Sequence, residues 1–263
     1  MKWVIHDLLF GMAEQEEFMR ALEKHGQKYE VFSTFANIPD GDIVRCSVDM
    51  AKVWRDHRGM MCTWENFACK KYNIPFYGHL LVDSPAITTY GNLRENAAGY
   101  FLLYGDENGY IFLRPNSGGK TFVGEMVESE GLKRHREWYK DAWEDDLLVV
   151  VAKPVVIDRE FRLVVIGDKA VSGSQYKSRD NLDKDLDLDS KRIEPDHEVF
   201  DYVNDVLSKV DYRPDPAFIL DVAETKDGFK IIELNSFTCS GFYDCDPEPI
   251  VLAMLTRKVS AND

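Results

Sequence analysis

The stretch from Phe218 to Asp246, FILDVAETKDGFKIIELNSFTCSGFYDCD, decides how the chain is read. It divides into two strands, FILDVAET and FKIIELN, joined by Lys226-Asp227-Gly228. β-Branched and aromatic residues alternate on either side of a glycine that takes positive φ without strain, which is the pattern of a β-hairpin. Asp221, Glu233 and Asn235 are polar residues on otherwise apolar strands. Glu233 and Asn235, two apart, share one face. Three oxygen-bearing side chains then converge, and a magnesium ion that holds nucleotide phosphates needs such a set: a few hard oxygen ligands, with other positions left for water and phosphate. An edge hairpin with a solvated acidic face fits the same letters, because acidic residues on strands are common.

An acid in the first strand and the E-x-N ending of the second resemble the metal-binding end of the ATP-grasp ligases, the superfamily that includes glutathione synthetase and D-alanine-D-alanine ligase. The resemblance spans about Tyr110 to Tyr243 and rests on the order of its motifs along the chain.

Upstream, DREFRLVVIGDKAVSGSQYKS alternates cleanly through Glu160-Phe-Arg162-Leu-Val-Val-Ile. Gly167-Asp168 turns it into a second strand, Lys169 to Gln175. The resemblance assigns Glu160 to the ribose hydroxyls and points Arg162, on the same face, toward the phosphates or the acyl group. Lys177 and Arg179 follow at the strand end. A solvated strand pair would look similar. Before it, Leu147 to Ala152 is an apolar run of strand formers closed by Lys153-Pro154. In the family this place is the hinge whose backbone reads the adenine edge, which brings Val151, Ala152 and Lys153 to the base.

Further back, YIFLRPNSGGKTFVGE reads as a strand, Tyr110 to Leu113, that ends at Arg114-Pro115 and opens into a glycine-rich loop. Adjacent Gly118 and Gly119 let backbone N–H groups turn toward an anion, and Lys120 adds a positive charge. The spacing excludes a P-loop. The resemblance places this flap over the triphosphate, with Arg114 where the family usually has Lys; Arg can clamp phosphate bidentately and cannot be deprotonated. Glycine and lysine are also routine turn residues, so an ordinary hairpin loop fits as well.

The N-terminal part opens β-α-β: a strand at Lys2 to His6, a helix from Met12 to His25 closed by Gly26, and strands at Tyr29 to Phe32 and Asp42 to Cys46. A helix is expected over Trp64 to Tyr72, stopped by Asn73-Ile-Pro. His6, Arg45 and Trp64 are candidates for facing a cleft, though such residues are more often structural. The acidic stretch Asn181 to Ser190 reads as a solvated loop, with a lid as the alternative.

Composition sets limits on function. The chain has 263 residues, 44% of them hydrophobic, and a formal charge of −14, which argues against non-specific binding to nucleic acid or an anionic membrane. Its five cysteines have neither zinc-ribbon nor C-x-x-C spacing. The N-terminus is a poor signal peptide and no run is long enough to span a membrane, so the expected location is cytoplasmic.

The expectation is an α/β plus α+β protein: a small N-terminal α/β unit at 1–85, then an ATP-grasp-like nucleotide-binding and catalytic domain at 86–263. The implied reaction is ATP-dependent ligation of a carboxylate to an amine through an acyl phosphate, with magnesium on Asp221, Glu233 and Asn235. In the D-alanine-D-alanine ligase pattern an Arg lies two residues before the first metal acid. Here that position is Ile219, so Lys177 or Arg162 would take its role. A phosphotransferase and a non-catalytic ATP-binding module are the competing functions.

Overall fold

Three sheets form because three sets of strands alternate or run apolar in different ways. The computed structural model describes residues 1–7, 12–34, 38–54, 57–119, 121–132, 145–179 and 190–260. Strand β1 (Lys2–His6) has Trp3, Val4 and Ile5 fully buried, as expected for a central parallel strand covered on both faces. Helix α1 (Met12–Lys24) ends where Gly26 adopts φ of 62°, and strands β2 (Lys28–Phe32) and β3 (Ile43–Arg45) flank β1 in the parallel order β2-β1-β3.

Helix α2 (Val48–Val53) follows, and then the expected helix at Trp64–Tyr72 shrinks to turns and a four-residue α3 (Cys69–Tyr72). The reason is competition for the backbone. Asn66 Nδ2 donates to the Pro214 carbonyl and the Asn66 carbonyl accepts from Tyr212 Oη, while Asn116 accepts from the Cys69 and Lys70 amides and so starts the helix late.

Strand β4 (Ala86–Thr89), helices α4 (Tyr90–Glu95) and α5 (Ala97–Tyr104), and strands β5 (Tyr110–Pro115), β6 (Glu125–Glu128) and β7 (Leu148–Ala152) build an antiparallel sheet of order β4-β7-β5-β6. The larger antiparallel sheet contains β8 (Arg159–Ile166), β9 (Lys169–Ser178), β10 (Lys191–Ile193), β11 (Ala217–Thr225) and β12 (Gly228–Ser236), in the order β10-β9-β8-β11-β12. Helix α6 (Glu198–Lys209) precedes β11, and α7 (Pro247–Ser260) closes the chain. Strand β10 and helix α7 were not anticipated. For α7 the signal was present: Asp246 Oδ1 caps the Glu248 amide and Pro247 occupies the first turn.

Period-two alternation splits the large sheet into two apolar faces. Phe161, Leu163 and Val165 of β8, with Phe218, Leu220 and Val222 of β11, pack on Val199, Val203 and Val206 of α6. Val164, Ile166, Ala217 and Ile219 point the other way and share a cluster with Trp3, Ile5 and Phe18 at the N-terminus and Ile250 and Val251 of α7. Each fully buried side chain of this size contributes about 2 kcal/mol. The first 85 residues therefore bury their apolar side chains partly against the rest of the chain.

One buried cation fixes that junction. Arg45 of β3 is 0% exposed, donates to the carbonyls of Phe237 and Ser240 just past β12, and lies 3.7 Å from the Phe242 ring centroid. Burial pulls its pKa down to about 9, so it stays charged at neutral pH. None of His6, Arg45 and Trp64 lines the cleft described below. The five cysteines are free thiols. Among the described residues no helix is long and apolar enough to cross a membrane. The acidic stretch 181–189 lies outside the described residues.

Arg45→Ala should lower the unfolding free energy by about 3 kcal/mol, because two buried carbonyls lose their donor and a cavity opens. An unchanged urea midpoint would show that Arg45 does not hold the turn after β12.

Candidate functional site

The β11–β12 register places Asp221 directly opposite Glu233, and a bulge follows at once, since Val222 pairs with Ile231 and leaves Ile232 unmatched. Like charges facing each other across a ladder repel. Three neighbours offset the repulsion. Asn235 Nδ2 donates to Asp221 Oδ2 and to Glu233 Oε1, both at 2.9 Å. Arg162, the register partner of Asp221 on β8, clasps it bidentately with Nε to Oδ1 and Nη2 to Oδ2, both at 2.8 Å. Arg114 Nη1 lies 3.4 Å from Glu233 Oε2, and its Nη2 donates to Tyr72 Oη at 2.7 Å.

The result is a chain of polar contacts, Arg162–Asp221–Asn235–Glu233–Arg114–Tyr72, across the wall of a cleft of about 970 Å³. The cleft is lined from both antiparallel sheets: Phe112 and Arg114 of β5, Val150 and Ala152 of β7, Glu160 of β8, Tyr176 and Lys177 of β9, and Glu233 and Asn235 of β12. Its volume suits a nucleotide-sized ligand. Val123, Met126, Val155 and Val156 leave an exposed apolar rim at the same opening.

The anticipated residues fall into four groups. Glu233, Asn235, Arg114, Glu160, Lys177, Ala152 and Lys153 all line the cleft. Glu160 accepts from Tyr176 Oη at 2.7 Å and pairs with Lys177 Nζ at 3.0 Å. Burial, with Asp221 and Glu160 nearby, pushes the Tyr176 phenol well above its ordinary pKa, so it stays a neutral donor. Asp221 and Arg162 stand behind the wall, 2% and 5% exposed. Arg162 shares the face of Glu160 as the alternation predicted, but its Nη1 donates to the Gly241 carbonyl and its guanidinium lies 4.6 Å from the Tyr243 centroid. Burial opposes its charge, but the charge and hydrogen bonds of Asp221, together with Tyr243 and Tyr176, hold its pKa above the ordinary value. Val151 points into the cluster with Tyr90, Leu93 and Ile111. Lys120 lies outside the described residues.

The glycine loop differs from its expected chemistry. Neither Gly118 nor Gly119 has positive φ, and the Gly119 amide donates to Ser117 Oγ at 3.0 Å, so one of the two anticipated anion donors already has a partner. Gly118 is required for close approach, because a Cβ there would lie 2.5 Å from Phe67 Cβ.

Sequence reading missed three aromatic residues, Tyr72, Tyr176 and Tyr243. Tyr243 has φ of 55°, rare for a residue with a side chain, and stacks on Tyr176 at 4.9 Å and 9°. Nothing local in SGFYDCD signals that stacking, because Tyr176 is 67 residues away by the numbering.

The hairpin set fits a magnesium ion by donor chemistry. Carboxylates and an amide are hard oxygen donors of the kind magnesium takes, Asn235 Nδ2 bridges the two carboxylates, and Glu233 and Asn235 line the cleft. Among the described residues no three His, Cys, Asp or Glu side chains gather as metal ligands.

Two antiparallel sheets closing on a cleft, with carboxylates and an amide on one wall and a cationic strand end facing them, define an ATP-grasp domain. Residues 85–255 match the model of the ATP-grasp domain, R2K clade family 3, and the chain belongs to that family. No curated protein matches the sequence significantly. Among solved structures, a D-cycloserine synthetase shares 13% identity over 97% of this chain and 99% of its own, with a TM-score of 0.68. A RimK domain ATP-grasp protein from Sphaerobacter thermophilus shares 12% identity over 97% and 100%, at 0.61. The D-alanine-D-alanine ligase of Bacillus anthracis shares 13% over 99% and 99%, at 0.54. These similarities extend the shared fold over nearly the whole chain, and the ATP-grasp class itself is the one expected from the sequence.

The pairing of Asp221 separates the two acids experimentally. Asp221→Asn strands the buried Arg162 and should cost about 3 kcal/mol of stability, whereas Glu233→Gln, at a half-open site, should cost less than about 1 kcal/mol. Equal shifts of the two unfolding midpoints would contradict this arrangement.

Proposed function

We propose that the protein is an ATP- and magnesium-dependent ligase that joins a carboxylate to an amine, releasing ADP and phosphate. The observation that carries this reading is the Asp221–Asn235–Glu233 set on the wall of a nucleotide-sized cleft, opposite Arg114. The family supplies ATP binding. A structurally similar ATP-grasp ligase, PsnB, was solved with magnesium, ADP and a minimal precursor, at 14% identity and a TM-score of 0.57.

In this reading Ala152 and Lys153 hold the adenine through their backbone, and Glu160 accepts from the ribose hydroxyls. Arg114 gives its Nη1 edge to phosphate oxygens, and Lys120 adds a second charge from the flap. Magnesium held by Asp221, Glu233 and Asn235 would neutralise the phosphates and favour transfer of the terminal group. A carboxylate oxygen of the substrate attacks the γ-phosphorus, the bond to ADP breaks, and an acyl phosphate forms. The amine then attacks the acyl carbon, and phosphate leaves. Lys177, at the open end of β9, meets the developing charge where Ile219 replaces the cation of the D-alanine-D-alanine ligase pattern. Arg162 contributes by holding Asp221 in place. No protein nucleophile is required, so orientation and electrostatics do the work. Residues 1–85 form one wall of the acceptor site, and 86–263 carry the nucleotide.

The test is incubation with magnesium and ATP across a panel of amino acids and peptides, with products identified by mass spectrometry. The expected result is ADP, phosphate and an amide in equal amounts. Pyrophosphate would indicate adenylation, a stable phosphoester would indicate a phosphotransferase, and ATP binding without turnover on any acceptor would indicate a sensing module; each overturns the ligase reading. Glu233→Gln should reduce turnover at least 100-fold while the protein stays folded, a loss on the scale of one group that stabilises developing charge.

A further inference from the structure

Tyr72 is a side chain that nothing in the motif pattern marks, yet it holds the cation at the centre of the cleft. Its ring is fully buried among Phe67, Phe76, Leu80 and Val150. It belongs to the four-residue α3, which is tied to the end of β5 by two further bonds: the Cys69 amide to the Asn116 carbonyl at 2.9 Å, and the Lys70 amide to Asn116 Oδ1 at 3.0 Å. The strand that carries Arg114 is therefore docked on α3 at residues 114 and 116. Tyr72 Oη accepts from Arg114 Nη2 at 2.7 Å, whereas the contact of Arg114 Nη1 with Glu233 is longer, at 3.4 Å.

We propose that Tyr72 is a positioning residue for the nucleotide phosphates: it fixes the guanidinium of Arg114 through Nη2, so that the Nη1 edge stays aimed into the cleft and exchanges Glu233 for a phosphate oxygen. The inference rests on the nucleotide reading above. A phenol suits this task for a physical reason. A carboxylate at the same place would hold Arg114 as well, but it would cancel the charge that attracts the phosphate. A neutral hydroxyl orients the cation and leaves its charge available. An unanchored Arg side chain would instead lose rotamer freedom each time the nucleotide bound, which weakens binding. Burial pushes the Tyr72 phenol above its ordinary pKa, so the anchor remains neutral across the physiological range.

The experiment is a double-mutant cycle read by calorimetric titration of Mg-ATP and Mg-ADP into four proteins: wild type, Tyr72→Phe, Arg114→Ala and the double variant. Loss of one hydrogen bond to a charged group predicts about tenfold weaker binding for Tyr72→Phe in the wild-type background, and less than about twofold in the Arg114→Ala background. Steady-state kinetics on the same variants should show a raised KM for ATP, with kcat changed much less. An equal loss in both backgrounds, or no loss in either, overturns the positioning role. If wild type itself fails to bind ATP, the nucleotide reading fails first, and the two failures are distinguishable. Should Tyr72→Phe melt earlier than wild type, the same cycle is read well below its melting temperature, where the four proteins are folded, with the same expectations.

Discussion

Two carboxylates set directly opposite each other on neighbouring strands would ordinarily disrupt a hairpin, and the site is built around making that arrangement tolerable. Asp221 and Glu233 face one another in the register of β11 and β12. Asn235 bridges them, and each has an arginine from another strand. The two pairs differ in kind. Arg162 and Asp221 are buried with excellent bidentate geometry, the condition under which an interior ion pair offsets the loss of hydration. Arg114 and Glu233 form a longer, partly open contact, which exchanges partners readily. One acid is thus fixed and the other adjustable.

The surrounding packing keeps this hairpin end rigid. Residues past Asn235 lie against the N-terminal unit, where Arg45 donates to the carbonyls of Phe237 and Ser240, while Ser236 Oγ donates to the Met61 carbonyl and Thr238 Oγ1 accepts from the Met61 amide. On the other side, the Gly241 carbonyl accepts from Arg162, the same residue that clasps Asp221. Loss of either arginine therefore loosens both the loop after β12 and, through it, the carboxylate set.

The sequence carried the strands well, because period-two alternation in β8, β11 and β12 is a direct image of a sheet with apolar faces. It carried Asp221, Glu233 and Asn235 for the same reason: polar residues on apolar strands are conspicuous. It placed Arg162 on the right face but at the wrong depth. Alternation gives a side chain's direction and says nothing of which partner across the sheet captures it, here Asp221 at the matching register. Tyr72 was invisible because it sits in a stretch that reads as a plain helix, and its contact with Arg114 comes from 42 residues away. The expected helix at 64–72 failed for a related reason, since Asn116 and Pro214 claim backbone and side-chain groups in that segment from far along the chain.

The global charge and the local charge of this protein have opposite signs, and that contrast bears on which form of nucleotide it takes. The chain carries −14 overall, yet Arg114, Lys153, Arg159, Lys177 and Arg179 all line the cleft. Beyond about 8 Å the negative surface is largely screened at physiological salt, so the approach of a polyanion is opposed weakly and mainly near contact. Within the cleft, three of the cations already have acidic partners: Arg159 with Glu224, Lys177 with Glu160 and Arg179 with Asp158. Arg114 shares Glu233 at a longer distance. A bare triphosphate entering this space would place its charge beside Glu233 without enough unpaired cations to balance both. A triphosphate that arrives with its metal ion brings the missing positive charge to the carboxylates and frees Arg114 for the phosphates. On the proposed ligase reading, the charge balance of the cleft favours the metal complex over the free nucleotide before any bond is made or broken.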